Sequence, residues 1–215
     1  MKLASGEKGE SVSSYQKRSK EALSKGVAQD IHDGAYVNLG IGQPTEAANH
    51  IPAGREVILP SENGILGMGP APDAGSEDYD CINATKQPVT LLPGGAYFHH
   101  ADSFAKVRGG HLDICVLGAF QVSATGDLAN GSTGEPGTIP AVGDAIERAL
   151  GTEQAWVVMD LLTKQGASKV VAPCTFPRTG IGCVKRICSD LATLSCSSST
   201  RSKGWTTLNS NPSSA

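Results

Sequence analysis

The sequence predicts an α/β protein built on a mostly parallel sheet with helices on both faces. Short apolar runs recur along the chain, at Val57-Ile58-Leu59, Leu112 to Phe120 (interrupted only by Asp113) and Trp156 to Met159, and they alternate with segments of helical periodicity. Strands buried on both faces read as such runs, because crossover helices cover a parallel sheet above and below. Several runs end in glycine-rich turns. In open α/β sheets ligands gather beyond the carboxyl ends of the strands, so chemistry is expected at those turns.

The elements follow in order. Residues 1–14 are polar and are expected to form a disordered leader. From Tyr15 to about Asp33 the spacing predicts a helix: Leu23, Val27 and Ile31 recur every four residues, with Lys and Gln on the other face, until Gly34 stops it. Tyr36-Val37-Asn38-Leu39 reads as a short buried strand running into Gly40-Ile41-Gly42, and Pro44-Thr45 opens a second helix through Ala48. Val57 to Leu59 is a strand ended by Pro60-Ser61-Glu62-Asn63-Gly64. Residues 67–80, rich in Gly, Pro and Asp, form a loop. Leu112 to Phe120 is an apolar strand, Ile139 to Leu150 a helix, Trp156 to Met159 a buried strand, and Lys169 to Ala172 a candidate strand. One domain spans residues 15–194. From Ser195 to Ala215 the chain is serine-rich without apolar periodicity and reads as an irregular tail.

Composition narrows the function classes. A net charge of −3 with 18% charged residues argues against a general nucleic-acid binder, which needs a basic patch. No run of eighteen apolar residues exists, and the N-terminus lacks the apolar core of a signal peptide, so no membrane span and a cytoplasmic location are expected. The six cysteines form no C-x-x-C pair and read as buried or inert thiols.

Three glycine-punctuated segments carry candidate chemistry. Gly40-Ile41-Gly42 turns a strand into a helix and presents N–H groups suited to an anion or oxyanion; read alone, a tight turn with no ligand is the favoured reading. In Ser61-Glu62-Asn63-Gly64 a carboxylate sits in a tight turn at a strand end. Oriented and desolvated, it is a nucleophile; solvated, it is an ordinary surface glutamate. Leu92 to Ser103 holds His99-His100-Ala101-Asp102. Adjacent histidines in an extended segment point to opposite faces, and no H-E-x-x-H pattern exists, so no metal site is assigned.

Residues 61–70, SENGILGMGP, resemble the active-site signature of the glutamate-bearing subunit of the 3-oxoacid CoA transferases, CoA transferase family I. Residues 38–49, NLGIGQPTEAAN, are similar to the first glycine turn of that family. Ser103 to Asn130 and Cys174 to Ala192 are similar to its central and late segments, so the resemblance spans roughly residues 15–194. Within the family, Phe98 to Ser103, Gly118 to Ser123 and Asp160 to Lys164 point to members acting on 3-oxoadipate. The resemblance implies an α/β/α fold, a partnering alpha subunit, succinyl-CoA as donor, a 3-oxo acid as acceptor and no cofactor beyond the coenzyme A thioester. It makes Glu62 the nucleophile. Gly40, Ile41, Gly42, Asn63, Gly64 and Gly143 become oxyanion or turn support, and His99, His100 and Arg108 become substrate contacts.

The chain also departs from the family. Asp144 stands where a second glycine is usual, Gly131 where Trp is usual, and the tail after residue 194 lacks the usual acidic, apolar pattern. A one-nucleotide frame slip in GC-rich codons accounts for such a tail. A catalytically impaired family member acting as a binding module, or a sugar-phosphate isomerase on a related fold, are the competing classes.

Overall fold

The computed structural model describes residues 17–135, 137, 151–196 and 204–208. In chain order the elements are α1 (Lys20–Asp30), β1 (Val37–Leu39), a 3-10 helix (Gln43–His50), β2 (Pro60–Ser61), β3 (Ile65–Met68), β4 (Leu91–Tyr97) and α2 (His100–Arg108). Strands β5 (Leu112–Gly118), β6 (Gln121–Ser123), β7 (Leu128–Ala129), β8 (Thr152–Met159) and β9 (Val170–Val171) follow, then β10 (Val184–Ser189), β11 (Thr193–Cys196) and β12 (Trp205–Leu208). The expected leader, the expected helix Ile139–Leu150, Gly143 and Asp144 lie outside the described residues.

The main sheet has six strands in the order β1-β5-β8-β10-β11-β12. Its first four strands are parallel to one another, and β11 and β12 add antiparallel. Successive side chains alternate between faces, which explains the apolar runs. Ile114, Val116, Trp156 and Val158 join Leu23 and Val27 of α1, Ile31 at its end and Ala47 of the 3-10 helix. Cys115, Leu117, Val157 and Ile187 point the other way, onto Val122, Leu128 and Val170 of a three-stranded sheet ordered β7-β6-β9. Each fully buried Val or Ile contributes roughly 1.5–3 kcal/mol. Among the described residues, α1 and the 3-10 helix pack on one face and this β layer on the other; the helix expected at Ile139–Leu150 falls outside them.

Local chemistry explains the shifted boundaries. Ser19 Oγ accepts the Ala22 N–H at 3.1 Å, so α1 begins just after this cap, at Lys20. The expected second helix is 3-10, because the Thr45 N–H and hydroxyl both bond back three residues, to the Gly42 carbonyl, at 3.1 and 2.6 Å. Val57 to Leu59 runs beside β1 through one Tyr36–Ile58 bridge instead of a ladder. The tail is not wholly irregular: Cys196 pairs with Trp205 and Thr193 with Leu208. Trp205 anchors this edge by packing on the second core face and donating its indole N–H to the Ser123 carbonyl at 3.0 Å. Burial pushes the Cys188 thiol up to about 12 and Cys183 to about 11, so both stay protonated near neutral pH. Among the described residues no helix is long and apolar enough to cross a membrane.

Candidate active site

Pro60 and Ser61 of β2 pair with Leu66 and Ile65 of β3, leaving Glu62, Asn63 and Gly64 as a three-residue hairpin turn. Gly64 has φ +106°, and a Cβ there would stand 2.1 Å from the Phe98 carbonyl oxygen. Only glycine closes this turn. Its carbonyl accepts the Phe98 N–H at 2.9 Å and its N–H donates to the Ser61 carbonyl at 3.0 Å.

The flanks of Glu62 are clamped from two sides. Asn63 Nδ2 donates to the Ile82 carbonyl at 2.7 Å, and Ser61 Oγ accepts the Ala84 N–H at 3.1 Å. The segment that receives them is itself locked: Asn83 Oδ1 accepts from the Thr85 N–H, the Thr85 hydroxyl and the Gln87 N–H at 2.9, 2.6 and 3.0 Å. From the other side, the Ser103 hydroxyl of α2 donates to the Ser61 carbonyl at 3.2 Å. Together these bonds hold the backbone around Glu62 in one geometry.

Half-buried Glu62 stands where two clefts meet. One is walled by Leu39, Ile41, Thr45 and Thr85, the other by Tyr36, Phe98, Phe104 and Lys106, and Asn38 lines both. The first cleft shares Ile41, Thr45 and Thr85 with a cavity of about 560 Å³. Ser24 Oγ and Gln43 Nε2, from residues lining that cavity, are buried and have no hydrogen-bond partner among the described residues.

The other expected site residues divide. Gly40 supports the turn and not an oxyanion, since its N–H donates to the Val116 carbonyl at 2.8 Å. Ile41, 64% exposed, lines both the first cleft and the adjoining cavity, whereas Gly42, at φ +91°, lines the cavity. The expected extended conformation at the histidines is corrected: His99 caps α2 and His100 opens it. His99 Nδ1 accepts the Ala101 N–H at 3.2 Å, whereas His100 packs edge-on against Phe104 with centroids 5.0 Å apart. Arg108, exposed, ends the helix about 12 Å further along by helical rise and lines neither cleft. The histidines and Arg108 are thus not brought together.

The capping role makes a prediction. His99→Ala removes the acceptor and should cost about 0.5–2 kcal/mol, whereas His99→Ser retains a capping oxygen and should melt near the parent. Thermal unfolding of the three proteins checks this. Equal melting of the Ala variant and the parent would show that the cap contributes nothing.

Sequence reasoning missed Asn38, Ser103 and Lys106. Recognising α2 would have found the last two, which fall on its cleft-facing side with Val107. Among the described residues no group of three or more His, Cys, Asp or Glu converges on a metal position.

The profile of the coenzyme A transferase family matches residues 20–211. The chain belongs to this family. Among CoA-transferase relatives, the beta subunit of the Pseudomonas putida 3-oxoadipate CoA-transferase is 62% identical over 178 residues, 83% of this chain and 83% of that one. Its counterpart of the same name from Acinetobacter baylyi is 56% identical over 178 residues, 83% and 82% of the two chains. The apoenzyme of the Escherichia coli O157:H7 acyl-CoA transferase YdiF matches in fold with a TM-score of 0.66 at 15% identity, covering 89% of this CoA transferase chain and 38% of YdiF.

Proposed function

We propose that this chain is the glutamate-bearing beta subunit of a CoA transferase that moves CoA from succinyl-CoA to 3-oxoadipate, with Glu62 as nucleophile. One observation carries the reading. Glu62 occupies a turn that only glycine can close, at the meeting of two clefts, in a chain 62% identical to a 3-oxoadipate CoA-transferase beta subunit.

The chemistry balances without an outside reactant. The Glu62 carboxylate adds to the thioester carbonyl of succinyl-CoA; the C–S bond breaks, giving a succinyl-glutamyl anhydride and the CoA thiolate. The thiolate attacks the Glu62 carbonyl carbon and succinate leaves, so CoA is held as a glutamyl thioester. A carboxylate of 3-oxoadipate then attacks that thioester and the thiolate is released again. Attack of the thiolate on the 3-oxoadipyl carbonyl frees Glu62 and yields 3-oxoadipyl-CoA. Every addition passes through an oxyanion. In this reading the Ile41 N–H, in the first cleft, stabilises it, with the neighbouring Gly42 N–H as a second donor. The adjoining cavity offers the Ser24 hydroxyl and the Gln43 amide to the polar CoA tail, whose binding supports reaction at the distant thioester. An alpha subunit is the partner this reading requires.

Co-expression with an alpha subunit, followed by assay of succinyl-CoA against a panel of 3-oxo acids, tests the assignment. 3-Oxoadipate should give the highest kcat/KM. A higher value for acetoacetate would reassign the acceptor.

A further inference from the structure

The second cleft beside Glu62 holds a cation. The α2 face that closes it carries Phe104, Lys106 and Val107, and its opposite wall is Phe98. Lys106 is half-buried, with Nζ 3.4 Å from the centroid of the Phe98 ring. Among the described residues no carboxylate pairs with it. Its neighbours offer a ring face, which attracts a cation less than a carboxylate does.

We propose that Lys106 determines specificity by receiving the distal carboxylate of the acid reacting at Glu62. The proposal rests on Glu62 being the acyl-accepting group. Succinate and 3-oxoadipate both carry a second carboxylate beyond the reacting one. A carboxylate entering a cleft walled by Phe98, Phe104 and Val107 loses water, and such burial is costly unless a cation answers it. Lys106 supplies that cation from the same cleft that Glu62 lines. With Nζ over Phe98, the cleft's cavity volume of about 10 Å³ has room for about one water. The acid therefore enters as the ammonium group leaves the ring, and the flexible four-carbon stem allows this without backbone movement. A monocarboxylic acid gives the ammonium group nothing to leave the ring for. The selectivity expected of His99, His100 or Arg108 thus falls to a residue of the cleft itself.

The test uses the complex with the alpha subunit, in which the parent is compared with Lys106→Met and Lys106→Arg. 3-Oxoadipate is set against 3-oxohexanoate, equal in chain length but lacking the distal carboxylate, as substrate or competitive inhibitor. Loss of a charge-assisted hydrogen bond should raise KM for 3-oxoadipate about 10- to 100-fold in the Met variant, with kcat nearly kept. 3-Oxohexanoate should change less than about threefold, and Arg should restore most of the loss. Equal losses for both acids, or no loss for either, would overturn the proposal. Borohydride trapping of a Glu62 thioester in the parent tests the underlying assignment separately. An unlabelled Glu62 removes both, whereas a labelled Glu62 with no carboxylate-dependent effect removes the Lys106 proposal alone.

Discussion

Glu62→Gln is expected to reduce CoA transfer to background while leaving the fold and the pairing with the alpha subunit intact. The amide is nearly isosteric, and the hydrogen bonds of the flanking residues Ser61, Asn63 and Gly64 remain in place. What disappears is the nucleophile, because a neutral amide cannot form the anhydride or the thioester. Melting temperature and co-purification should match the parent. Activity retained within about tenfold would rule out covalent catalysis at this residue. Glu62→Asp should also fail, since withdrawing the carboxylate by about one ångström costs on the order of 100-fold in a positioned reaction.

Gly64→Ala should produce the second largest effect, and through geometry alone. At φ +106° an alanine is strained, and its Cβ would need the space of the Phe98 carbonyl oxygen, 2.1 Å away. Strain of this kind costs on the order of 1–3 kcal/mol. The structure can relieve it only by separating the turn from Phe98, which moves Glu62. A lower melting temperature together with about 100-fold lower kcat/KM is expected. Parent-like activity in a folded variant would show that the turn tolerates another backbone path.

How much of this was legible in the sequence depended on what each segment had to bury. The runs at Leu112–Gly118 and Trp156–Met159 bury both faces, so their apolar continuity announced parallel strands. The turn around Glu62 was legible because a strand end, a glycine and the family signature coincide there. Helix α2 was not, because it buries only Ser103 and Val107 and its cap is a histidine, a residue outside the usual capping set. Without that helix nothing in the sequence places Lys106 in the second cleft or Arg108 at the helix end. The β layer on the second face was hidden for another reason. Its strands are two or three residues long, too short for period-two alternation to register. The tail strand Trp205–Leu208 is held by backbone pairing and one indole, neither of which leaves an apolar rhythm in the sequence.

The most direct test of the account is a trapping measurement on the complex with the alpha subunit. The complex is incubated with succinyl-CoA and no acceptor, then treated with borohydride or hydroxylamine, and its peptides are mapped by mass spectrometry. The account predicts modification of Glu62 that requires succinyl-CoA and is absent from Glu62→Gln. An unmodified Glu62 in a complex that still turns over, or a label on another residue, would contradict it.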